Sequence, residues 1–361
     1  MLNKVIRLVA HARMYIHLVI NSIILCCSVT TAAHALPFNQ ISQLYFFGDS
    51  LTDSGFNDLF PLVDPAQFAP GKAPTFTTYG GYTWAQYVAR DIKGFVLPKG
   101  YPIPSPPDTL TNNTTPLMAG NFPVSGTLQG VNYACGGSTT NSTGFDIFWA
   151  PSLHSQISRF LATAPRPLDP DAVYFIWSGA NDLLTVLVQP APTQLQLLMA
   201  ANTAANNIAS EVALLSAHGA KRIVVLSLPN IGYTPFIGQA AVNNPSLPGS
   251  IKTVTFTLNS MLNQQLGKVV AAYGTKILYV DVYDALDNVI IATKAGKPYV
   301  VAGQSFQFVN YTTPACSTVP SALFCPPNTP PGYLFADGVH PTDMAHRLLS
   351  LVVETQMQRW A

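Results

Sequence analysis

Residues 46–55 read Phe46-Phe47-Gly48-Asp49-Ser50-Leu51-Thr52-Asp53-Ser54-Gly55. The apolar run that leads into this stretch breaks abruptly into glycine, aspartate and serine, which is typical of a buried strand that ends at a cleft. Two interpretations remain open on this stretch alone. Either Ser50 presents its hydroxyl group to the cleft, or Ser50 or Thr52 caps the helix that follows.

Further along the chain, apolar runs alternate with amphipathic stretches. The pattern predicts strands near 41–49, 172–177, 221–228 and 276–282, a strand end in 132–138, and helices near 81–91, 152–163, 192–217, 249–273, 283–294 and 342–358. Nearly continuous apolar strands that alternate with helices favour an α/β fold, with a mostly parallel sheet covered on both faces. Residues 56–79, 95–130 and 300–335 are rich in Pro, Gly, Thr and Asn and are predicted to be loops.

Polar residues follow three of these apolar runs, at Gly48-Asp49-Ser50, Gly136-Gly137 and Gly179-Ala180-Asn181. Ligands of parallel sheets bind beyond the carboxyl ends of the strands. We therefore expect these three breaks to lie along one rim of the sheet.

The first 35 residues have the features of an export signal. A basic start is followed by the apolar run 18–29 and by Ala33-His34-Ala35, so we predict a secretory signal peptide that is cleaved after Ala35. The alternative is an uncut membrane anchor, which the short run, interrupted by Asn21 and Ser22, disfavours. Residues 36–361 are predicted to form a single domain.

Charge argues against a nucleic-acid partner. The chain has a net charge of +1, and loss of Lys4, Arg7 and Arg13 with the leader brings it to −2. The sequence has no basic stripe. No later run is long enough to cross a membrane. We expect a secreted enzyme without a cofactor or a metal ion, and we favour a monomer.

Three cysteines lie after the predicted cleavage site. Cys316 and Cys325 flank a short loop rich in Pro and Ser, and in an exported protein this favours a disulfide bond between them. Cys135 is then a lone thiol, expected to be buried as a small apolar side chain. The alternative, a Cys135 nucleophile, has no charged partner nearby in sequence.

Among the seven histidines, His340 is the candidate general base. His11, His17 and His34 belong to the leader, and His154, His218 and His346 lie in helical patterns. His340 differs, because it lies in a turn before the last helix, three residues after Asp337. Asp337 could accept the proton on the ring nitrogen that faces away from a nucleophile. The alternative is an Asp-Gly turn followed by Thr342 as a helix cap, which leaves the histidine unexplained.

An acyl-transfer site also needs donors for the oxyanion. The candidates are the backbone N–H groups of Ser50 and Gly137 and the side-chain amide of Asn181. Glycine at 137 suits a close approach of the backbone to a ligand. The alternative for Asn181 is that its amide caps the next turn.

Together, four blocks resemble those of the GDSL, or SGNH, hydrolase family. They are Gly48-Asp49-Ser50-Leu51, the glycine of Gly136-Gly137-Ser138-Thr139, Gly179-Ala180-Asn181-Asp182 and Asp337-Gly338-Val339-His340-Pro341-Thr342. They occur in the family's order and span about residues 43–358. No Gly-x-Ser-x-Gly elbow surrounds Ser50, so an α/β-hydrolase fold is the poorer expectation.

The resemblance implies a flavodoxin-like three-layer α/β/α sandwich. It implies Ser50 as nucleophile, Asp337 and His340 as the rest of a triad, and Ser50, Gly137 and Asn181 in an oxyanion hole. The chain is similar to the bacterial secreted branch, which contains lysophospholipases and glycerophospholipid:cholesterol acyltransferases. The expected substrate is therefore a lipid ester at a membrane or micelle surface.

Two other functions are kept as alternatives: a carbohydrate O-acetylesterase on the same scaffold, and a non-catalytic binding module. An open groove rich in Trp and Tyr would favour the first, and a lost catalytic residue would favour the second. Phe145, Phe148 and Trp149 could line an acyl pocket or pack in the core. The Cys316–Cys325 loop is either a lid next to the site or a stapled surface loop.

Overall fold

The computed structural model describes residues 37–54, 75–93, 132–141, 150–317 and 321–360. The predicted leader, the 95–130 loop, most of the 56–79 loop and the aromatic residues Phe145, Phe148 and Trp149 lie outside these ranges.

Within the described ranges, a parallel sheet of four strands forms the centre of the fold. The strands are β1 (Leu44–Gly48), β2 (Val173–Trp177), β3 (Arg222–Leu226) and β4 (Lys276–Val280), in the spatial order β1-β2-β3-β4. Residues 132–135 run parallel to the other edge of β1, where the N–H of Tyr133 donates to the carbonyl of Phe46 at 2.8 Å. When this segment is counted as a strand, the order becomes 2-1-3-4-5, which is the flavodoxin-like order.

Helices connect these strands. In the described ranges they are α1 (Trp84–Lys93), α2 (Leu153–Thr163), α3 (Ala180–Leu187), α4 (Gln194–Ala217), α5 (Pro235–Ala240), α6 (Leu247–Tyr273), α7 (Val282–Lys294) and α8 (Asp343–Gln358). Side chains cap several N-termini: Ser152 caps α2, Thr193 and Gln196 form a capping box on α4, and Thr342 caps α8.

Aromatic contacts show that the helices cover both faces of the sheet. Phe46 lies 5.7 Å from Trp84 of α1, and Phe47 lies 5.5 Å from Phe160 of α2, measured between ring centroids. Successive side chains of a strand point to opposite faces, so α1 and α2 lie on opposite sides of β1. Helix α8 packs on α1, and α4 packs on both α2 and α6. The three-layer α/β/α architecture is confirmed.

Some short elements were not predicted. Helix α5 begins at Pro235, which looks like a break in sequence but is tolerated in the first turn of a helix. The predicted 300–335 loop contains a hairpin, β5 (Tyr299–Val301) with β6 (Gln304–Phe306), and a 3₁₀ helix at Ala322–Phe324. Strands of three residues are too short to display an alternating pattern.

Candidate active site

The carboxyl ends of the strands surround a cavity of about 300 Å³. Ser50, Gly137, Asn181 and His340 all line it. They come from four separate parts of the chain: the turn after β1, the turn after residues 132–135, the first turn of α3, and the turn before α8. The three polar breaks expected along one rim of the sheet therefore do meet there, together with the turn that contains His340.

Ser50, His340 and Asp337 form a continuous hydrogen-bonded chain. His340 Nε2 is 2.8 Å from Ser50 Oγ, and His340 Nδ1 is 2.7 Å from Asp337 Oδ2. Ser50 therefore presents its hydroxyl group to the cleft, and the described residues 50–54 form a turn and no helix. The hydroxyl oxygen of Thr52 accepts a hydrogen bond from the indole N–H of Trp84 at 3.3 Å.

Asp337 is buried, but it is well supplied with donors. Its Oδ1 accepts the backbone N–H groups of Val339 at 2.8 Å and His340 at 2.7 Å, and its Oδ2 also accepts the N–H of Ala322 at 2.6 Å. Burial acts to raise the pKa of Asp337, but the charge of His340 and the hydrogen bonds from His340 and Val339 outweigh it and hold this pKa below its usual value. An ionised Asp337 can only accept a hydrogen bond, so the proton of the neutral His340 ring lies on Nδ1. Nε2 is then free to accept the Ser50 proton.

The candidate oxyanion donors, Ser50, Gly137 and Asn181, line the same cavity as His340. Among the described residues, the backbone N–H groups of Ser50 and Gly137 donate to no protein acceptor. Gly137 has φ of 83°, a left-handed conformation that favours glycine. These N–H groups are therefore available to a ligand.

Asn181 lies inside α3 and does not cap a turn. One hydrogen of its Nδ2 donates to the carbonyl of Ser138 at 2.9 Å, which fixes the amide plane beside the Gly137 turn. The residue before α3, Gly179, adopts φ of 113° and has no side chain that caps the helix. An Asn side chain has two N–H donors, so the second hydrogen remains for a ligand.

Buried carboxyl groups surround these donors. Burial raises the pKa of Asp49 to about 7 and that of Asp182 to about 6. Asp182 accepts hydrogen bonds from the N–H and the hydroxyl of Thr140, and Asp53 accepts the N–H of Gly136 at 2.7 Å. Both carboxyl groups hold the segment that contains Gly137.

Gln156 is a site residue that sequence reasoning missed. It lies on α2, only 1% exposed, and bonds to both the N–H and the carbonyl of Gly48 and to the hydroxyl of Ser138. A polar residue on the apolar face of an amphipathic helix was the available signal, next to Leu153 and Ile157. Nothing in the sequence indicates which groups it contacts.

The other histidines of the described ranges lie outside the site. His154 contacts Glu211, and His218 bonds to the carbonyl of Leu214 at the end of α4. His346 is fully buried in α8, where burial lowers its pKa to about 3. The ring of Phe76 contacts His340 at a tilt of 39°, with 4.8 Å between centroids.

Cys316 and Cys325 form a disulfide bond, and Cys135 is a buried free thiol whose pKa is raised by burial. The segment between the paired cysteines reaches the site in two ways. Its Ser321 and Leu323 line the cavity, and the N–H of its Ala322 is one of the donors to Asp337.

Most of the cavity wall beyond Ser50 is apolar. Its side chains come from α3, α7, α8 and the segment after β6, and include Leu184, Leu286, Val289, Phe308, Leu348 and Leu349. Within the described ranges, no group of three or more His, Cys, Asp or Glu side chains could hold a metal ion. In the same ranges, no helix combines the length and apolarity that a membrane span needs.

Comparison with known proteins identifies the family. The model of the GDSL-like lipase/acylhydrolase family matches residues 44–352. The chain belongs to this family. The family is one of esterases and lipases, so the chain is a hydrolase that acts on esters. This agrees with the four blocks noted in the sequence.

Two relatives illustrate the range of the GDSL family. A GDSL esterase/lipase of Arabidopsis thaliana is 25% identical over 92% of this chain and 90% of its own length. Esterase EstA of Pseudomonas aeruginosa is 28% identical over 90% of this chain, which spans only 48% of EstA. Among solved structures, phospholipase A1 from Streptomyces albidoflavus is 16% identical, and the match covers 87% of this chain and 98% of the phospholipase chain. Its TM-score is 0.34, so the likeness carries no argument.

Proposed function

We propose that this GDSL hydrolase is an exported serine esterase that cleaves carboxylic esters of lipids, as a phospholipase A or lysophospholipase does. Ser50 is the nucleophile, His340 is the general base, and Asp337 orients His340 and stabilises the positive charge that His340 gains with the Ser50 proton. Residues 36–361 form a single hydrolase domain. The observation that carries the proposal is the apolar cavity that begins at the Ser50–His340 pair.

The proposed reaction has two halves. Ser50 Oγ attacks the ester carbonyl carbon while its proton passes to His340 Nε2, and the carbonyl oxygen becomes an oxyanion that accepts from Ser50 N–H, Gly137 N–H and the Asn181 amide. The C–O bond to the alcohol then breaks, and that alcohol takes the proton from His340. Water repeats the sequence on the acyl-Ser50 ester, and a sterol hydroxyl in its place would give acyl transfer.

The cavity supports a long acyl group in preference to acetate. Its volume of about 300 Å³ is at the lower end of the range for ligand pockets, and Leu286, Val289 and Leu348 offer no polar partner to a sugar. Each buried CH₂ of an acyl chain would contribute about 0.8 kcal/mol to binding. Acetate cannot gain this energy.

The carbohydrate alternative would be favoured by a groove of Trp and Tyr. Among the described lining residues, Trp177 is the one Trp, there is no Tyr, and the Trp177 indole is 2% exposed and donates to the carbonyl of Ser227. A non-catalytic binding module would not need the intact Ser50–His340–Asp337 chain. We therefore keep a lipid ester as the substrate class.

Export is supported by the N-terminal pattern and by the disulfide, since disulfides persist in oxidising compartments. We propose that the enzyme acts outside the cell or in the periplasm, as a monomer, at a membrane or micelle surface.

The test is a substrate panel with purified wild type and Ser50→Ala. It contains p-nitrophenyl esters from acetate to palmitate, a phospholipid, a lysophospholipid and an acetylated xylan, each with and without cholesterol. We expect kcat/KM to rise with acyl length and free fatty acid to appear from the phospholipids. Preference for acetylated xylan would overturn the lipid assignment, and an active Ser50→Ala variant would overturn the mechanism.

A further inference from the structure

The Gln156 side chain contacts both backbone turns that supply the N–H donors of the proposed oxyanion hole. Its Oε1 accepts the N–H of Gly48 at 2.9 Å, and its Nε2 donates to the carbonyl of Gly48 at 2.8 Å. The same Nε2 is 3.0 Å from the hydroxyl oxygen of Ser138. Gly48 precedes Ser50 by two residues, and Ser138 follows Gly137 directly.

These contacts leave little room for independent movement. The carbonyl of Gly48 also accepts the N–H of Cys135 at 3.2 Å, and a Cβ atom at position 48 would lie 2.1 Å from the carbonyl oxygen of Trp177. The end of β1 is therefore confined on several sides. The planar amide of Gln156 adds two bonds to one residue, which fixes its orientation as well as its position.

Ser138 is held from two directions. Its hydroxyl contacts Gln156, and its carbonyl accepts from Asn181 Nδ2 at 2.9 Å. The hydroxyl also donates to the carbonyl of Pro151 at 2.7 Å, just before α2. Gln156 and Asn181 thus act on the same residue, and Gly137 is the neighbour of that residue.

We propose that Gln156 is a positioning residue that sets the distance between the Ser50 N–H and the Gly137 N–H, so that both reach one oxyanion. This inference rests on the proposed function. A donor that is displaced loses its transition-state contact, whereas ground-state binding in the apolar cavity is unaffected. The effect of Gln156 should therefore be on kcat and not on KM.

The first experiment compares Gln156→Met with Gln86→Met in the full chain. Methionine keeps the volume of the side chain and removes the amide. Gln86 is the matched control, because it is a buried glutamine on α1 whose Oε1 accepts the N–H of Thr83 outside the cavity. We expect kcat to fall about 10- to 100-fold for Gln156→Met with KM within about twofold, and kcat to be unchanged for Gln86→Met.

A transition-state mimic separates positioning from a general loss of packing. An alkyl trifluoromethyl ketone forms a tetrahedral oxyanion with a serine, whereas an ether lipid of equal length does not. Gln156→Met should lose affinity for the ketone by the same factor as kcat/KM and keep its affinity for the ether within about twofold. Equal losses for both ligands would overturn the inference.

Gln156→Glu tests the same point if the methionine variant does not fold. A protonated carboxyl group has one donor and one acceptor and can bond to both groups of Gly48, whereas a carboxylate can only accept. The ratio of its kcat to that of wild type should therefore fall as the pH rises. A ratio independent of pH contradicts the inference.

An active Ser50→Ala variant overturns the proposed function itself. If Ser50→Ala is inactive and Gln156→Met keeps full activity, only the inference is overturned.

Discussion

The imidazole Nε2 of His340 lies 2.8 Å from the hydroxyl oxygen of Ser50, although 290 residues separate the two in sequence. One residue follows the first strand of the sheet and the other precedes the last helix. The contact exists only when the first strand and the last helix are both in place in the fold. Activity should therefore report on global folding as well as on the local site.

Replacement of His340 by Ala should lower kcat about 10⁴-fold or more, because Ser50 then has no base to accept its proton. His154→Ala is a suitable control, since that histidine lies on the outer side of α2 and contacts Glu211. Its kcat should stay within about twofold of wild type. Steady-state kinetics on a p-nitrophenyl ester gives both values. Residual activity above 10% in His340→Ala would show that His340 is not the base.

Asn181→Ala should lower kcat about 100- to 1,000-fold with a small change in KM, because an oxyanion donor acts in the transition state. Asn206→Ala, at a half-buried amide of α4 that donates to Asn202 away from the cavity, should have no effect on turnover. The measurement is kcat and KM on a soluble ester. An equal change in both variants would remove Asn181 from the oxyanion hole.

A larger side chain in the cavity should shorten the preferred acyl chain. Leu286 of α7 lines the cavity, so Leu286→Trp should lower kcat/KM for a decanoate ester at least about tenfold and leave that for an acetate ester within about twofold. Ile291 lies on the same helix but is 63% exposed, and Ile291→Trp is the control. A uniform loss across the ester series in Leu286→Trp would indicate that the acyl chain binds elsewhere.

Loss of the Ala322 N–H should remove one of the hydrogen bonds that fix the position of the Asp337 carboxylate. Ala322→Pro removes this donor, and the extended backbone of Ser321 (φ −143°, ψ 145°) is compatible with a following proline. We expect kcat to fall at least about tenfold, whereas Ala322→Gly keeps the N–H and should stay within about threefold. The ¹H NMR chemical shift of the proton between His340 Nδ1 and Asp337 should change only in the proline variant. Equal kinetics in the two variants would rule out this contribution.

Glu354 should make stability fall as the pH rises. Burial, and then the nearby Asp91, raise the pKa of Glu354 to about 8, although Arg347 and Arg90 act in the other direction. An unfolded Glu has a pKa of about 4.3, so the folded state binds more protons between pH 4 and pH 8 and the free energy of unfolding falls across that range. Glu354→Gln should reduce the loss of Tm between pH 5 and pH 8.5 by about 2 °C or more. Parallel Tm curves for the two proteins would contradict this.

The strands, and the residues that meet in the candidate site, could be predicted because their signals are local. An apolar run that ends in Gly-Asp-Ser is visible in ten residues, and His340 remained after the other histidines had been assigned to helices or the leader. Short elements such as α5 and the β5–β6 hairpin were missed because a proline or a run of three residues gives no periodic pattern.

The supporting contacts could not be predicted, because they join parts of the chain that are distant in sequence. Gln156 and Gly48 are 108 residues apart, and either could have had another partner. Ala322 contributes a backbone N–H, which every residue except proline has. The identity of the residue at 322 therefore does not indicate this contact.

The Cys316–Cys325 disulfide bond also determines at what stage after synthesis the enzyme reaches its final covalent structure. In a reducing compartment the two cysteines remain thiols, and the segment with Ala322 is then not tied covalently beside Asp337. A newly made chain would thus reach its finished state only after transfer to an oxidising environment. If the enzyme is exported and cleaves lipids, as we propose, this timing would spare the membranes of the cell that synthesises it.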